Sequence, residues 1–189
     1  MREYGTITYV GENFENIKVN FSELRIPCFS SQEELKNHTS FLENLRIGIV
    51  VADWNREITE SLLEGTLLGL VIHSVKDKNI SVMHVPGSFE LLYGAKLLRE
   101  NMKPDVIISI GCLIEGETEH FNVISNAVSS GIRDLNLQSD TPVVFGVLTT
   151  KTPKQARDRI KGGKHGNSGI DFADTAISMG YLRKEAASK

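Results

Sequence analysis

The chain reads as a single-domain three-layer α/β/α sandwich around a mainly parallel four-stranded sheet, and three observations lead there. From Leu45 onward short apolar runs alternate with segments of helical periodicity, the pattern of parallel strands joined by right-handed crossovers with helices on both faces. The apolar runs are continuous rather than alternating, as strands covered on both sides are. The 189 residues suffice for one well-buried core and give no reason to divide the chain into two.

Residues 1–44 read as an N-terminal extension to a domain at 45–189. In the extension, Thr6-Ile7-Thr8-Tyr9-Val10 alternates like a strand, Gly11-Glu12-Asn13 reads as a turn, and Ile17-Lys18-Val19-Asn20-Phe21 is a candidate return strand that would close a hairpin. Residues 30–44 are polar and charged, a linker or a short helix. The domain then alternates: a strand at 46–52, a helix at about 57–71, a strand at 80–85, a helix at 89–101, a strand at 106–110, a helix after Thr118 and a strand at 143–148. Two helices follow, one from about Pro153, which suits a first helical turn, and one from about Ile170. Glycines in the segment 162–169 separate them. In the helix after Thr118, Phe121, Ile124, Val128, Ile132 and Leu135 recur every three to four residues, so one stripe packs on the sheet.

Bulk properties narrow the function classes. Apolar residues make up 40% and charged residues 24%, ordinary for a globular protein, and a formal charge of −3 provides no basic field for nucleic acid. Cys28 and Cys112 are far apart and show no Cys/His ligand spacing, so a structural metal site is not expected. No secretory or transit signal opens the chain and no run has the apolar length of a membrane span, which makes the cytoplasm the expected location.

The densest chemistry lies at residues 105–121. A buried strand, Asp105-Val106-Ile107-Ile108-Ser109-Ile110, enters a turn containing Gly111 and Gly116 and delivers His120 into the first turn of a helix. Thr118 is a natural N-cap for that helix. The free amides and positive dipole end gathered there suit phosphate or another anion. In parallel sheets of this kind ligands lie beyond the carboxyl ends of the strands, and Trp54, the Pro86-Gly87 loop, the 112–120 loop and the Thr149-Thr150 region all fall at that edge.

Five motifs in order over one domain length carry a resemblance. They are Ile47-Gly48-Ile49-Val50-Val51-Ala52-Asp53-Trp54-Asn55, Val85-Pro86-Gly87-Ser88-Phe89-Glu90, the segment 105–121, Pro142-Val143-Val144-Phe145, and Gln155-Ala156-Arg157-Asp158-Arg159 with Gly163-Lys164-His165-Gly166-Asn167-Ser168-Gly169. Together they resemble the lumazine synthases of riboflavin biosynthesis over roughly 45–179, which implies a flavodoxin-like fold. The resemblance implies condensation of 5-amino-6-(ribitylamino)uracil with 3,4-dihydroxy-2-butanone 4-phosphate to 6,7-dimethyl-8-ribityllumazine, releasing phosphate and water. It implies no cofactor and no metal.

Residue by residue, the resemblance makes His120 the general acid/base, a role that fits a side chain titrating near neutral pH. It places Trp54 over the pyrimidine ring, where offset stacking and apolar burial both contribute. Ser88, Phe89 and Glu90 fall on the ribityl chain and pyrimidine edge, Cys112, Leu113 and Ile114 on the pyrimidine through backbone groups, and Phe145 on the aromatic wall. Glu117, Thr118 and Arg159 fall at the phosphate, Arg159 as a bidentate fork. In the family Phe145 and Arg159 come from the adjacent subunit, which implies a homo-oligomer, a pentamer or a shell of pentamers, and leaves association with a riboflavin synthase open. There too the N-terminal segment adds a strand to a neighbour's sheet. Ser168 departs from the family, standing where many relatives carry a lysine. Glu117 and Glu119 bracket the anion site and oppose phosphate unless they point to solvent. A member that binds its ligand without turnover and a scaffold subunit are the competing readings. A nucleotide-dependent dehydrogenase is disfavoured, since no Gly-x-Gly-x-x-Gly follows the first strand of the domain.

Overall fold

The computed structural model describes residues 7–9 and 38–188. The candidate return strand at 17–21 and Cys28 lie outside them. Five strands form one sheet: β1 (Ile7–Tyr9), β2 (Ile47–Ala52), β3 (Ile80–Val85), β4 (Val106–Ile114) and β5 (Val143–Thr150). The order is β1-β3-β2-β4-β5, with β2 to β5 mutually parallel and β1 antiparallel on the edge of β3. The strand expected around Thr6 to Val10 is therefore present, pairing Ile7 with Met83 and Tyr9 with Ser81 of the same chain.

All six residues of β2 are buried, and β3 and β4 are nearly so. A β-strand sends alternate residues to opposite faces, so continuous apolar runs must feed two cores. Ile47, Ile49, Val51, Ile108 and Ile110 pack on one side against Leu62, Leu70, Ala173 and Ile177. Val50, Ile107, Val143 and Val147 pack on the other against Leu91, Leu98, Val128 and Ile132. The first core is roofed by α2 (Arg56–Ile72) and α6 (Ser168–Ala187), the second by α3 (Leu91–Met102) and α4 (His120–Leu137), which completes three layers. Short helices α1 (Thr39–Asn44) and α5 (Pro153–Arg157) close the ends.

Helices α2 and α6 approach closely because each carries glycine at the contact. A Cβ added to Gly69 would stand 2.7 Å from the Ala173 methyl. Across the same seam the buried His73 shares a hydrogen bond of 3.0 Å, Nε2 to Oδ1, with Asp174. At the amino ends of the strands, Asp105 accepts from the backbone N–H and guanidinium of Arg46 and from Arg183. Burial alone would raise its pKa, but these hydrogen bonds and charges bring the carboxyl below its ordinary value.

Several boundaries differ from the sequence reading for physical reasons. Strand β4 runs to Ile114 rather than ending near Ile110, because Leu113 and Ile114 stay in register with Thr149 and Thr150. Helix α4 starts at His120, so Glu119 rather than the expected Thr118 is the N-cap residue and it makes no capping side-chain bond; Thr118, one residue earlier, accepts from His120 N–H at 3.4 Å. Helix α6 begins at Ser168 because Asn167 caps it through Gly169 N–H at 2.9 Å. Helix α5 ends at Arg157, with Asp158 as its C-cap, so Arg159 lies in the following turn instead of on a continuing helix. Arg157, on the last turn of α5, instead reaches Glu57, Nε to Oε1 at 3.2 Å. Among the described residues no helix is long and apolar enough to cross a membrane.

Candidate active site

Strand β2 has β3 on one side and β4 on the other, so successive crossovers leave it in opposite directions. The loops beyond the carboxyl ends of β2, β3 and β4 thus splay apart, the place where open α/β sheets bind ligands. A cavity of about 570 Å³ lies there, lined by Trp54, Asn55, residues 86–90, Leu113, Ile114, Gly116, Thr118, His120, Phe121 and Ile124. A larger groove of about 1050 Å³ runs past Phe41, Leu45, Asp105, Met179 and Arg183, at the amino ends of the strands, and contains none of the expected site residues.

The β2 exit is held by backbone and side chain together. Trp54 N–H donates to Pro86 O at 3.1 Å, which docks the β2 loop on the β3 loop and leaves the indole 70% exposed. Asn55 adopts the left-handed conformation at φ 59°, which asparagine tolerates better than most residues. Its Nδ2 donates to Cys112 O at 2.9 Å, tying the β2 loop to β4 across the cavity floor. Asn55 was not among the expected site residues, although its position directly after the tryptophan and its capacity for positive φ were the available signal.

The β3 exit supplies Ser88, Phe89 and Glu90 before α3 begins at Leu91. Ser88 is buried, yet its hydroxyl has no hydrogen-bond partner among the described residues. It is held over Gly111 of β4, where an added Cβ would sit 2.8 Å from Ser88 Oγ, so glycine is needed for that approach. Phe89 stands 51% exposed on the rim beside the exposed Glu90. A buried, unsatisfied hydroxyl beside a free carboxylate suits a hydroxyl-bearing ligand.

The β4 exit carries the polar end. Leu113 and Ile114 are half-buried in the wall, Thr118 lines the cavity, and His120 occupies the first position of the 18-residue α4. The helix N-terminus therefore opens beside the imidazole and favours an anion there. Glu117 and Glu119 are exposed and absent from the lining, and Glu119 accepts from Asn122 Nδ2 at 2.8 Å. Their carboxylates stand in solvent rather than in the cavity.

Besides Glu117, three expected residues stand apart from this lining. Cys112 is fully buried behind the wall, contributing its carbonyl to Asn55, and burial pushes its thiol up to about 11. Phe145 sits on the edge strand β5, paired with Ser109 and 41% exposed. Arg159 is in the turn after α5, where Nη1 donates to its own Gln155 O at 2.8 Å. That turn is pinned: Ser168 N–H donates to Arg159 O at 3.0 Å, Lys161 N–H to Ser61 Oγ at 3.3 Å, and Asn167 Nδ2 to Ser61 O at 2.9 Å. One copy of the chain thus brings together Trp54, Ser88, Phe89, Glu90, Leu113, Ile114, Thr118 and His120, and presents Phe145 and Arg159 outside that cavity.

Comparison with known proteins is consistent along the chain. The family model described as 6,7-dimethyl-8-ribityllumazine synthase matches residues 44–184. A 6,7-dimethyl-8-ribityllumazine synthase of Flavobacterium psychrophilum is 49% identical over 151 residues, covering 80% of this chain and 79% of that protein. Those of Porphyromonas gingivalis (49% identical; 75% and 88% covered) and Cytophaga hutchinsonii (48% identical; 79% and 96% covered) are comparably similar. With the fold, the cavity and the sequence match in agreement, the chain belongs to the 6,7-dimethyl-8-ribityllumazine synthase family.

Proposed function

We propose that the cavity between the β2, β3 and β4 loops is one protomer's share of the site that condenses 5-amino-6-(ribitylamino)uracil with 3,4-dihydroxy-2-butanone 4-phosphate. The chain is a transferase of riboflavin biosynthesis, as its family membership gives. The observation that carries the site assignment is the convergence of Trp54, the unpartnered Ser88 hydroxyl and His120 on one cavity of about 570 Å³.

Each feature has a task in that chemistry. The exposed indole of Trp54 offers a flat apolar surface for the pyrimidine ring. Ser88 and Glu90 meet the ribityl hydroxyls, the carboxylate as acceptor only. The amides around Thr118 and the α4 N-terminus meet phosphate. His120, beside that anion, moves protons as the amine adds to the ketone, water leaves and phosphate is eliminated. Holding both substrates in one cavity contributes by itself, since it converts their encounter into an intramolecular step. Arg159 and Phe145 of a neighbouring copy complete the phosphate grip and the aromatic wall, so the working unit is a homo-oligomer. Cys112, Leu113 and Ile114 act through main-chain groups, Glu117 through its amide.

The test mixes the two substrates with the protein and follows the absorbance of the lumazine product. Product formation by the wild type, slowed roughly 10²–10⁴-fold by His120→Ala, supports the assignment. Binding of a ribityllumazine without any turnover would convert the protein into a binding-only member, and unchanged turnover in His120→Ala would remove the imidazole from the mechanism.

A further inference from the structure

We propose that Gly111 is a positioning residue for Ser88: with no β-carbon there, the serine hydroxyl folds back onto β4, and this resting place sets how tightly the cavity takes a hydroxyl-bearing chain. The inference rests on the reading of Ser88 as a contact for the ribityl chain. Alternate residues of β4 serve opposite faces of the sheet. Ile108, Ile110 and Cys112 pack toward α2 and α6, whereas Ile107 packs toward α3 and α4, so Gly111 also faces α3. A Cβ built on it would stand 2.8 Å from Ser88 Oγ, 3.0 Å from Leu91 Cδ1 and 3.4 Å from Val147 Cγ1. The tightest of these contacts is to the end of a side chain that can rotate away.

The hydroxyl in that place is poorly satisfied. Ser88 is 4% exposed, its Oγ is shielded from solvent, and it has no hydrogen-bond partner among the described residues. Ser109, two residues along the same face of β4, is likewise without a partner, so the two hydroxyls do not bond each other. The backbone around Ser88 is held, since Leu91 N–H donates to Ser88 O at 3.3 Å and Leu91 is fully buried. What stays free is rotation about the Ser88 Cα–Cβ bond between staggered wells. Ser88 lines the cavity beside Phe89 and Glu90, so rotation off Gly111 carries the hydroxyl toward a ligand. A buried hydroxyl left unpaired is costly, and a ligand oxygen that draws it out removes that cost. Binding needs the outward rotamer, so apparent affinity falls by the fraction of chains that rest inward. In Gly111→Ala a methyl fills the resting place and turns the hydroxyl outward before the ligand arrives.

The experiment titrates 6,7-dimethyl-8-ribityllumazine, followed by its own fluorescence, into full-length wild type, Gly111→Ala, Ser88→Ala and the double variant. An analogue with an ethyl group in place of the ribityl chain is the second probe. Gly111→Ala should bind the ribityl compound about 2–10-fold more tightly, the range of one net hydrogen bond, and bind the ethyl compound as the wild type does. The gain should vanish in the Ser88→Ala background, where no hydroxyl is left to move. Ser88→Ala alone should lose ribityl affinity by a similar factor while its urea midpoint stays level or rises, because the group removed was unpaired. That arm stands even if Gly111→Ala does not fold. Unchanged or weaker ribityl binding in folded Gly111→Ala overturns the proposal, as does an equal gain for both probes, a gain that survives without the Ser88 hydroxyl, or a lower urea midpoint in Ser88→Ala. Failure of the wild type to bind the ribityl compound overturns the catalytic reading as well, whereas normal turnover with no change that depends on Ser88 overturns this proposal alone.

Discussion

Refolding His120→Ala and Arg159→Ala chains together tests whether a neighbouring copy completes the cavity, because the structure leaves Arg159 outside the space that His120 lines. Each parent alone is defective. The first should retain roughly 10⁻²–10⁻⁴ of wild-type turnover. The second loses a contact to a charged group of about 1.5–3 kcal/mol, which slows the reaction roughly 10- to 150-fold at low butanone phosphate. Unmixed, equal amounts of the two therefore average at most about 5% of wild type on those figures. In randomly mixed closed rings, an interface takes an intact imidazole from one chain with probability one half and an intact guanidinium from its neighbour with probability one half, so about a quarter of interfaces are whole. The assay is product absorbance at low butanone phosphate, beside mass measurement showing that mixed oligomers have formed. Recovery to about a quarter of wild type supports a divided site. Activity equal to the parental mean, in a sample proven to be mixed, would place the imidazole and guanidinium of one chain in one site and refute the reasoning.

Two further outcomes follow from particular contacts. Asn55→Ala removes the 2.9 Å bond to Cys112 O at a position held at φ 59°, where asparagine is tolerated better than alanine, so urea denaturation should show a loss of about 1–2 kcal/mol, chiefly the net hydrogen bond. Asn55→Gly, free of the backbone penalty, should lose less, and an equal loss would discount the strain. For Asp105, the folded-state carboxyl lies below its ordinary value, so its contribution is present above the unfolded pKa of about 3.9 and disappears as pH falls through the lower folded value. Asp105→Asn should therefore cost about 1 kcal/mol near neutral pH, after screening of a partly exposed group. The gap to wild type should close below pH of about 4 in denaturation midpoints, and a gap that persists in acid would assign the loss to packing.

The layer order was legible because it rests on local patterns. Continuous apolar runs such as 47–52 and 106–110 have no polar face to show solvent, so they had to be central strands, and both are buried. Of the stripe from Phe121 to Leu135, Val128 and Ile132 are buried in the core and Ile124 and Leu135 packed beside them, while Phe121 lines the cavity. Boundaries read less well, since they depend on partners distant in sequence. Ile114 remains strand because Thr150 pairs with it, and Arg159 falls outside α5 because its turn is anchored to Ser61 and Ser168.

Site residues divide in the same way. The resemblance named His120, Thr118, Trp54 and Ser88, and the fold brings all four into the lining of one cavity. What Asn55 does was hidden, since its amide meets a carbonyl 57 residues away. By itself the sequence determined which segments are strands, which are helices and which residue types stand at the carboxyl edge, because hydrophobic periodicity and turn chemistry act over a few residues. The folded chain alone settles which loops share a cavity, that Ser88 Oγ has no partner among the described residues, and that Phe145 and Arg159 lie outside the lining. Those outcomes depend on strand order and packing, which arise from contacts between parts of the chain that no local pattern links.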